Sequence, residues 1–199
     1  MTTSVTSGQN LIDSDFQFGQ LLVGPFGTDT VVSGGFVFST IVGGTSSFEI
    51  VNGGFADGTT VNGGGTQIVE VGGSSLATLI FSSGSELVSS GGVAASTTVA
   101  QNLASMTVAS GGAASATILK SGGQLLASGI TVGTYVSSGS VEEIISGGTA
   151  TVTDGTTTVQ LHLIGTYTVG SFHTSVDGTG GTIITDPPVS SGSGVAPSH

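Results

Sequence analysis

The chain has 199 residues and a formal net charge of −11, with 12 acidic residues against one basic residue, Lys120. One Lys and no Arg cannot neutralise a run of phosphates or dock on an anionic bilayer, so nucleic-acid binding and membrane-surface binding are set aside, and the absence of Cys removes disulfides, thiolate catalysis, iron–sulfur clusters and cysteine zinc sites. Glycine (36), serine (30) and threonine (29) fill nearly half the chain, yet 37% of it is hydrophobic, which is too apolar for disorder and points to β-structure broken by very frequent turns.

Residues 1–15, MTTSVTSGQNLIDSD, contain strand-like pieces at 2–6 and 11–12 and read as an N-terminal extension or edge strand. They lack the basic n-region and apolar h-region of a cleavable signal peptide. No stretch reaches the roughly 18 apolar residues of a transmembrane helix, so membrane insertion is not expected.

Residues 16–148 are read as repeats. Gly-Gly, or a Ser-Gly substitute, recurs about every ten residues, for example at Gly34-Gly35, Gly53-Gly54, Gly72-Gly73, Gly91-Gly92 and Gly111-Gly112. Two such steps give units of 18 to 20 residues: 35–53, 54–72, 73–91, 92–111, 112–129 and 130–147, with 16–34 as an earlier and looser unit. Aligned, they show a column of Thr40, Thr59, Thr78, Thr97, Thr117 and Thr134. Two residues on stands an aliphatic column of Val42, Val61, Ile80, Val99, Leu119 and Val136. The column between them is mixed: Ile41, Thr60, Leu79, Thr98, Ile118 and Tyr135. Near the end of each unit, three residues before the closing Gly, stand Ile50, Val69, Val88, Val108, Leu126 and Ile144.

Ten residues suffice for one short strand and one tight turn, with Gly supplying the positive φ of the turn. Two such halves close a coil, and coils stack as parallel strands about 4.8 Å apart. The fold class expected is therefore all-β: a single parallel β-solenoid of about 18–20 residues per coil, seven or eight coils and roughly 35–40 Å long. Strand side chains alternate, so the Val column and the Thr column two residues earlier point inward and the mixed column points out. The threonines read as a hydroxyl ladder, each bonded to its neighbour, or as corner hydroxyls bonded to turn backbone.

Residues 149–188 are richer in alternation and read as a more irregular β cap, with strands at 149–152, 157–164, 166–169 and 182–185. Asp186-Pro187-Pro188 ends the cap and residues 189–199 read as a disordered tail.

The unit GG-x-A-x-x-T-x-V-x-x-GG-x-x-x-V-x-x-GG, clearest in 91–112 and 111–129, resembles the strand–loop–strand repeat of AIDA-type autotransporter passenger domains over residues 16–148. The ending YTVGSFHTSVDGTGGTIITDPP (167–188) is similar to the terminal segment of secreted repeat proteins of alphaproteobacteria. The resemblance implies a right-handed parallel β-solenoid at the bacterial surface, used in adhesion, aggregation or biofilm, with heptose on Ser or Thr in some members. Ser89, Ser90, Ser110, Ser137 and Ser138, beside Gly turns, are the exposed hydroxyls such a modification would reach. The chain departs from the pattern in showing no signal peptide and too few residues for a membrane β-barrel translocator, so type I export or fragment status is expected.

An enzymatic solenoid needs clustered carboxylates or a base assisted by a cation. The acids Asp13, Asp15, Asp29, Glu49, Asp57, Glu70, Glu86, Glu142, Glu143, Asp154, Asp177 and Asp186 are read as not stacking in neighbouring coils, and the adjacent pair Glu142-Glu143 as facing opposite ways. DGTGG at 177–181 reads as a hairpin turn between 172–176 and 182–185 rather than a calcium loop, and Asp154-Gly155 as another turn. His162 and His173 read as strand residues, with a metal pair as the alternative, and His199 lies in the tail. Ordering of water on an ice face needs Thr-x-Thr facing solvent in every coil, and here the pattern is Thr-x-Val. The expected function is a non-enzymatic extracellular or cell-surface structural and adhesive module without catalytic, cofactor or metal site. Self-association head to tail into filaments, and contact with surface glycans or host and matrix surfaces, are its expected partnerships. The alternative is a polysaccharide-binding or polysaccharide-degrading β-helix protein.

Overall fold

The structure is a computed structural model and describes residues 3–5, 8–101, 103–121, 123–137, 139–144, 149–152, 161–163, 173–176 and 182–185. Short strands and tight turns alternate throughout the described residues, as the Gly spacing requires, and they wind into a parallel β-solenoid. A coil holds three strands, for instance Phe55–Asp57, Thr60–Asn62 and Thr66–Val69. The third strands form one nine-stranded sheet, and the first two of each coil lie in a second sheet. The nine strands correspond to seven complete coils over residues 16–144, with a partial layer at each end.

Register between coils is regular through the middle of the stack, with shifts where Phe16–Val23 meets Phe36–Gly43 and where Ile130–Val136 meets Thr149–Val152. Leu79 and Ile80 lie opposite Thr60 and Val61 on one side and Thr98 and Val99 on the other. The ladder is made by bonds such as Leu79 N–H to Thr59 C=O and Thr98 N–H to Thr78 C=O, both 2.8 Å. Like residues therefore stack on like, and Val42, Val61, Ile80, Val99, Leu119 and Val136 form one continuous buried row. The mixed column, Ile41 to Tyr135, faces outward as expected.

The second aliphatic column needs a correction. The inward row of the nine-stranded sheet is Val51, Val69, Val88, Val108, Ala127 and Ile144. Ile50 and Leu126 stand one residue earlier, pair with Ile68 and Thr107, and point outward. Turn length varies by one residue between coils, so counting back from the closing Gly slips by one position, and in a strand that reverses the face.

Turns and corners divide the work of glycine. Gly91 takes the left-handed conformation of the turn, φ 77°, whereas Gly92 is buried, and a Cβ on it would collide with the carbonyl of Val69 in the coil below. At the bend between the first two strands of a coil, one residue per coil is left-handed: Ser39, Gly58, Ala77, Ser96, Ala116 and Gly133, with φ between 52° and 71°.

At the N-terminal end, Thr3–Val5 pairs with Leu21–Val23 and Asn10–Asp13 with Thr28–Val31. At the other end, Thr149–Val152 and Leu161–Leu163 continue the two sheets in parallel. His173–Val176 then pairs antiparallel with Thr182–Thr185, as a hairpin requires. The expected strand at 157–164 is described only at Leu161–Leu163. The one at 166–169, the turns at Asp154-Gly155 and 177–181, and the tail at 189–199 lie outside the described residues.

Candidate functional surfaces and an interior acid column

The threonine column is buried: Thr40, Thr59, Thr78, Thr97, Thr117 and Thr134 are each no more than 1% exposed. Their hydroxyls do not bond to one another, which corrects the expected ladder. Five of the six reach across the interior to the nine-stranded sheet, and the Thr40 hydroxyl makes no hydrogen bond of good geometry. Thr59 Oγ1 donates to Glu49 Oε2 at 2.9 Å, Thr78 Oγ1 to Gln67 Oε1 at 2.9 Å and Thr97 Oγ1 to Glu86 Oε2 at 2.9 Å. Ser75 Oγ donates to Glu86 Oε1 at 2.8 Å, and Thr131 Oγ1 and Thr134 Oγ1 both donate to Glu142 Oε1, at 2.8 and 3.2 Å. Gln67 Nε2 donates to Glu49 Oε2.

The acceptors form a column of their own. Register places Leu11, Asp29, Glu49, Gln67, Glu86, Met106, Leu125 and Glu142 in line along the solenoid axis. Asp13 stands diagonally from Asp29, in the row of Val31. Asp13, Asp29, Glu49, Glu86 and Glu142 are all buried. Acids therefore do stack in neighbouring coils, contrary to the sequence reading, but they face the interior. Two residues before Val51, Val69 and Val88 is an inward position by the alternation that placed threonine two before Val61. That signal was present in the sequence, and the expectation that inward columns are apolar hid it.

Charge in such a place is unfavourable. Burial pushes the Glu86 carboxyl up to about 7, against the opposing hydrogen bonds from Ser75 and Thr97. Burial, with the carboxyls of Glu49 and Asp13 beside it, pushes Asp29 up to about 9. Asp13, Glu49 and Glu142 are raised as well, again chiefly by burial. Glu142 is buried and Glu143 partly exposed, as adjacent strand residues must be.

On the outside, no catalytic constellation comes together among the described residues. No group of three His, Asp or Glu side chains there is placed to hold a metal ion. His162 and His173 lie on strands of different sheets, and His199 is outside the described residues. Ser90 and Ser110 are exposed, but Ser89 and Ser137 are partly buried. Ser137 Oγ donates to Leu119 C=O at 2.8 Å, which ties that hydroxyl to the coil below. Ser138 is not among the described residues. One surface feature went unread in the sequence: Phe16, Phe36 and Phe55 each open a coil and stand in register, and with Phe38 they form an outer aromatic row with ring centroids 4.4–5.2 Å apart. The signal was a Phe at the same place after the turn in three successive units.

No protein-family model matches the chain, and no curated protein matches it. Among solved structures, the chain is similar to a crystal structure of a TibC-catalysed, hyper-glycosylated fragment of TibA covering its residues 55–350. The two share 28% identity and a TM-score of 0.53 over 81% of this chain and 70% of that one.

Proposed function

We propose that the chain is a non-enzymatic structural and adhesive module of the AIDA-type autotransporter passenger kind, working at a bacterial surface or outside the cell. The observation that carries this reading is the orientation of its chemistry. The clustered acids face inward, and the outer faces carry columns of hydroxyl and apolar side chains repeated at the coil spacing. Such a surface suits many weak, repeated contacts with another surface. The likeness to the hyper-glycosylated TibA fragment supports the same reading and extends it to modification of exposed hydroxyls such as Ser90 and Ser110. Head-to-tail self-association belongs to this proposal, because the end strands leave sheet edges to pair.

The test coats beads with the purified chain and measures their retention on cells and on abiotic surfaces, alongside release of reducing ends from acidic polysaccharides. Retention above uncoated beads without polysaccharide cleavage is expected. Cleavage would replace the proposal with the polysaccharide-degrading reading, and retention no better than bare beads would remove adhesion. Intact mass of natively secreted protein tests modification: a mass equal to the bare sequence removes glycosylation for that source.

A further inference from the structure

The interior acid column has a consequence independent of adhesion. Asp29, Glu49, Gln67 and Glu86 occupy four consecutive layers, with Asp13 beside Asp29 and Glu142 further along the axis. Among the described residues no positive charge faces them. Asp29 meets Asp13 from Asn10–Asp13 and Glu49 from Phe48–Val51. Asp15 acts on Asp13 as a further like charge. Glu49 is approached by Thr40, Thr59 and Gln67, and Glu86 by Ser75, Thr97, Gln67 and Met106. Glu142 is approached by Thr131, Thr134 and Leu125, with Leu161 in register on its far side. Lys120, the one basic side chain, is exposed.

The donor count is short in the same places. Both carboxyl oxygens of Asp13 and of Asp29, one oxygen of Glu49 and one of Glu142 are buried without a hydrogen bond of good geometry, although Gln17 approaches Asp13, the Thr30 N–H approaches Asp29 and the Thr40 hydroxyl approaches Glu49. An ionised carboxylate accepts at both oxygens, so it leaves these atoms unsatisfied, whereas a carboxylic acid brings its own donor. Between Asp13 and Asp29 a single proton makes the bond that both need. A metal ion is the other way to neutralise such a column, and no described group of three acidic or histidine side chains is placed to hold one.

We propose that the solenoid folds with this column protonated, so that folding takes up protons, and that the N-terminal coils, where acids stand in consecutive layers beside the end of both sheets, loosen first as the pH rises. Each group whose folded form holds its proton more tightly than the unfolded chain contributes stability that is complete below the unfolded value and lost as the pH rises through the folded value. For Glu86 that window runs from 4.5 to about 7, and for Asp29 from 3.8 to about 9. The fold is accordingly strongest in mild acid.

The experiment is urea unfolding of the full chain at pH values from 4 to 9, for the wild type and for Glu86→Gln, whose amide keeps the shape of the protonated acid. Crossing the Glu86 window multiplies the wild-type unfolding constant by roughly 300 relative to the variant, at tenfold per pH unit. Infrared absorption of protonated carboxyl groups in the folded wild type at pH 6, lost on unfolding at the same pH, gives a readout that needs no variant. Hydrogen exchange, corrected for intrinsic rate, should show residues 10–51 opening first above neutrality. A pH-independent unfolding constant, or a folded protein without the protonated-carboxyl band, overturns the proposal. Restoration of alkaline stability by added calcium, reversed by a chelator, also overturns it, because ionised acids would then be holding a cation.

Discussion

Val99 is wholly buried, and Thr98, one residue away, faces outward. An Asp at position 99 would stand in the stacked Val61–Ile80–Val99–Leu119 row, between buried aliphatic neighbours, so Val99→Asp should cost several kcal/mol at neutral pH. Thr98→Asp should cost only a few tenths. Thermal unfolding of the two variants tests the inward assignment, and equal losses would refute it. The contrast with Glu86 is instructive, since that residue is as buried as Val99 yet belongs to the native core. The difference lies in donors placed in advance: Ser75 and Thr97 reach Glu86 from the facing sheet, whereas position 99 stacks between Ile80 and Leu119. Alternation from the Gly-bounded units was enough to place the threonines and Val99 correctly in the interior. It does not reveal that threonine pairs with glutamate across the coil, because those partners are ten or eleven residues apart on different strands and meet only when the coil closes.

At the scale of the strand and its turns, the Gly-Gly pair carries two separate constraints. Gly91→Ala carries the cost of a left-handed residue, about 1–2 kcal/mol, and a tight approach to Val71, whose Cγ2 would lie 3.0 Å and whose Cα 3.3 Å from the new Cβ. Gly92→Ala should cost more than Gly91→Ala, because its Cβ runs into the backbone of Val69 and the coils would have to separate. Chemical denaturation of the two variants ranks them, and the reverse order would contradict the stacking. The corner between the first two strands gives the opposite sign. Ala77 sits at φ 54° and is exposed, so Ala77→Gly relieves backbone strain and should raise stability by about 0.5–1 kcal/mol. Ala94→Gly, in an extended and buried position of the next coil, should lower it by about 1 kcal/mol. A melting temperature that falls in both would mean the left-handed corner is not strained. The turn glycines were legible from spacing alone. The corner was not, because Ser, Ala and Gly share it and no single residue type marks it.

On the scale of the whole molecule, the chain is a stack whose two ends differ. Its flanks are closed by parallel pairing from coil to coil, and its N-terminal layer is a pair of short strands, each bonded to the coil above. Ile12, on the outer face of Asn10–Asp13, is 68% exposed. At the far end the parallel order gives way: Thr182–Thr185 runs antiparallel to Thr149–Val152, while Leu161–Leu163 is the last strand of the nine-stranded sheet among the described residues. A contact between the N-terminal strands of one molecule and the terminal strand of the nine-stranded sheet of another would add parallel strands in the native spacing. It joins unlike surfaces, so it does not close on itself and grows as a filament. With Thr182–Thr185 paired along one edge, such growth would run through one sheet, a joint weaker than the bond between coils. Association should therefore depend on concentration and should vanish when residues 1–15 are removed, since that takes away Thr3–Val5 and Asn10–Asp13, the strands that would make the contact. Light scattering and negative-stain microscopy of the full chain and of the deletion should show elongated particles in the first and compact ones in the second. A monodisperse 19.2 kDa species for the full chain at high concentration, unchanged by the deletion, would show that the end strands are an edge the molecule leaves unpaired.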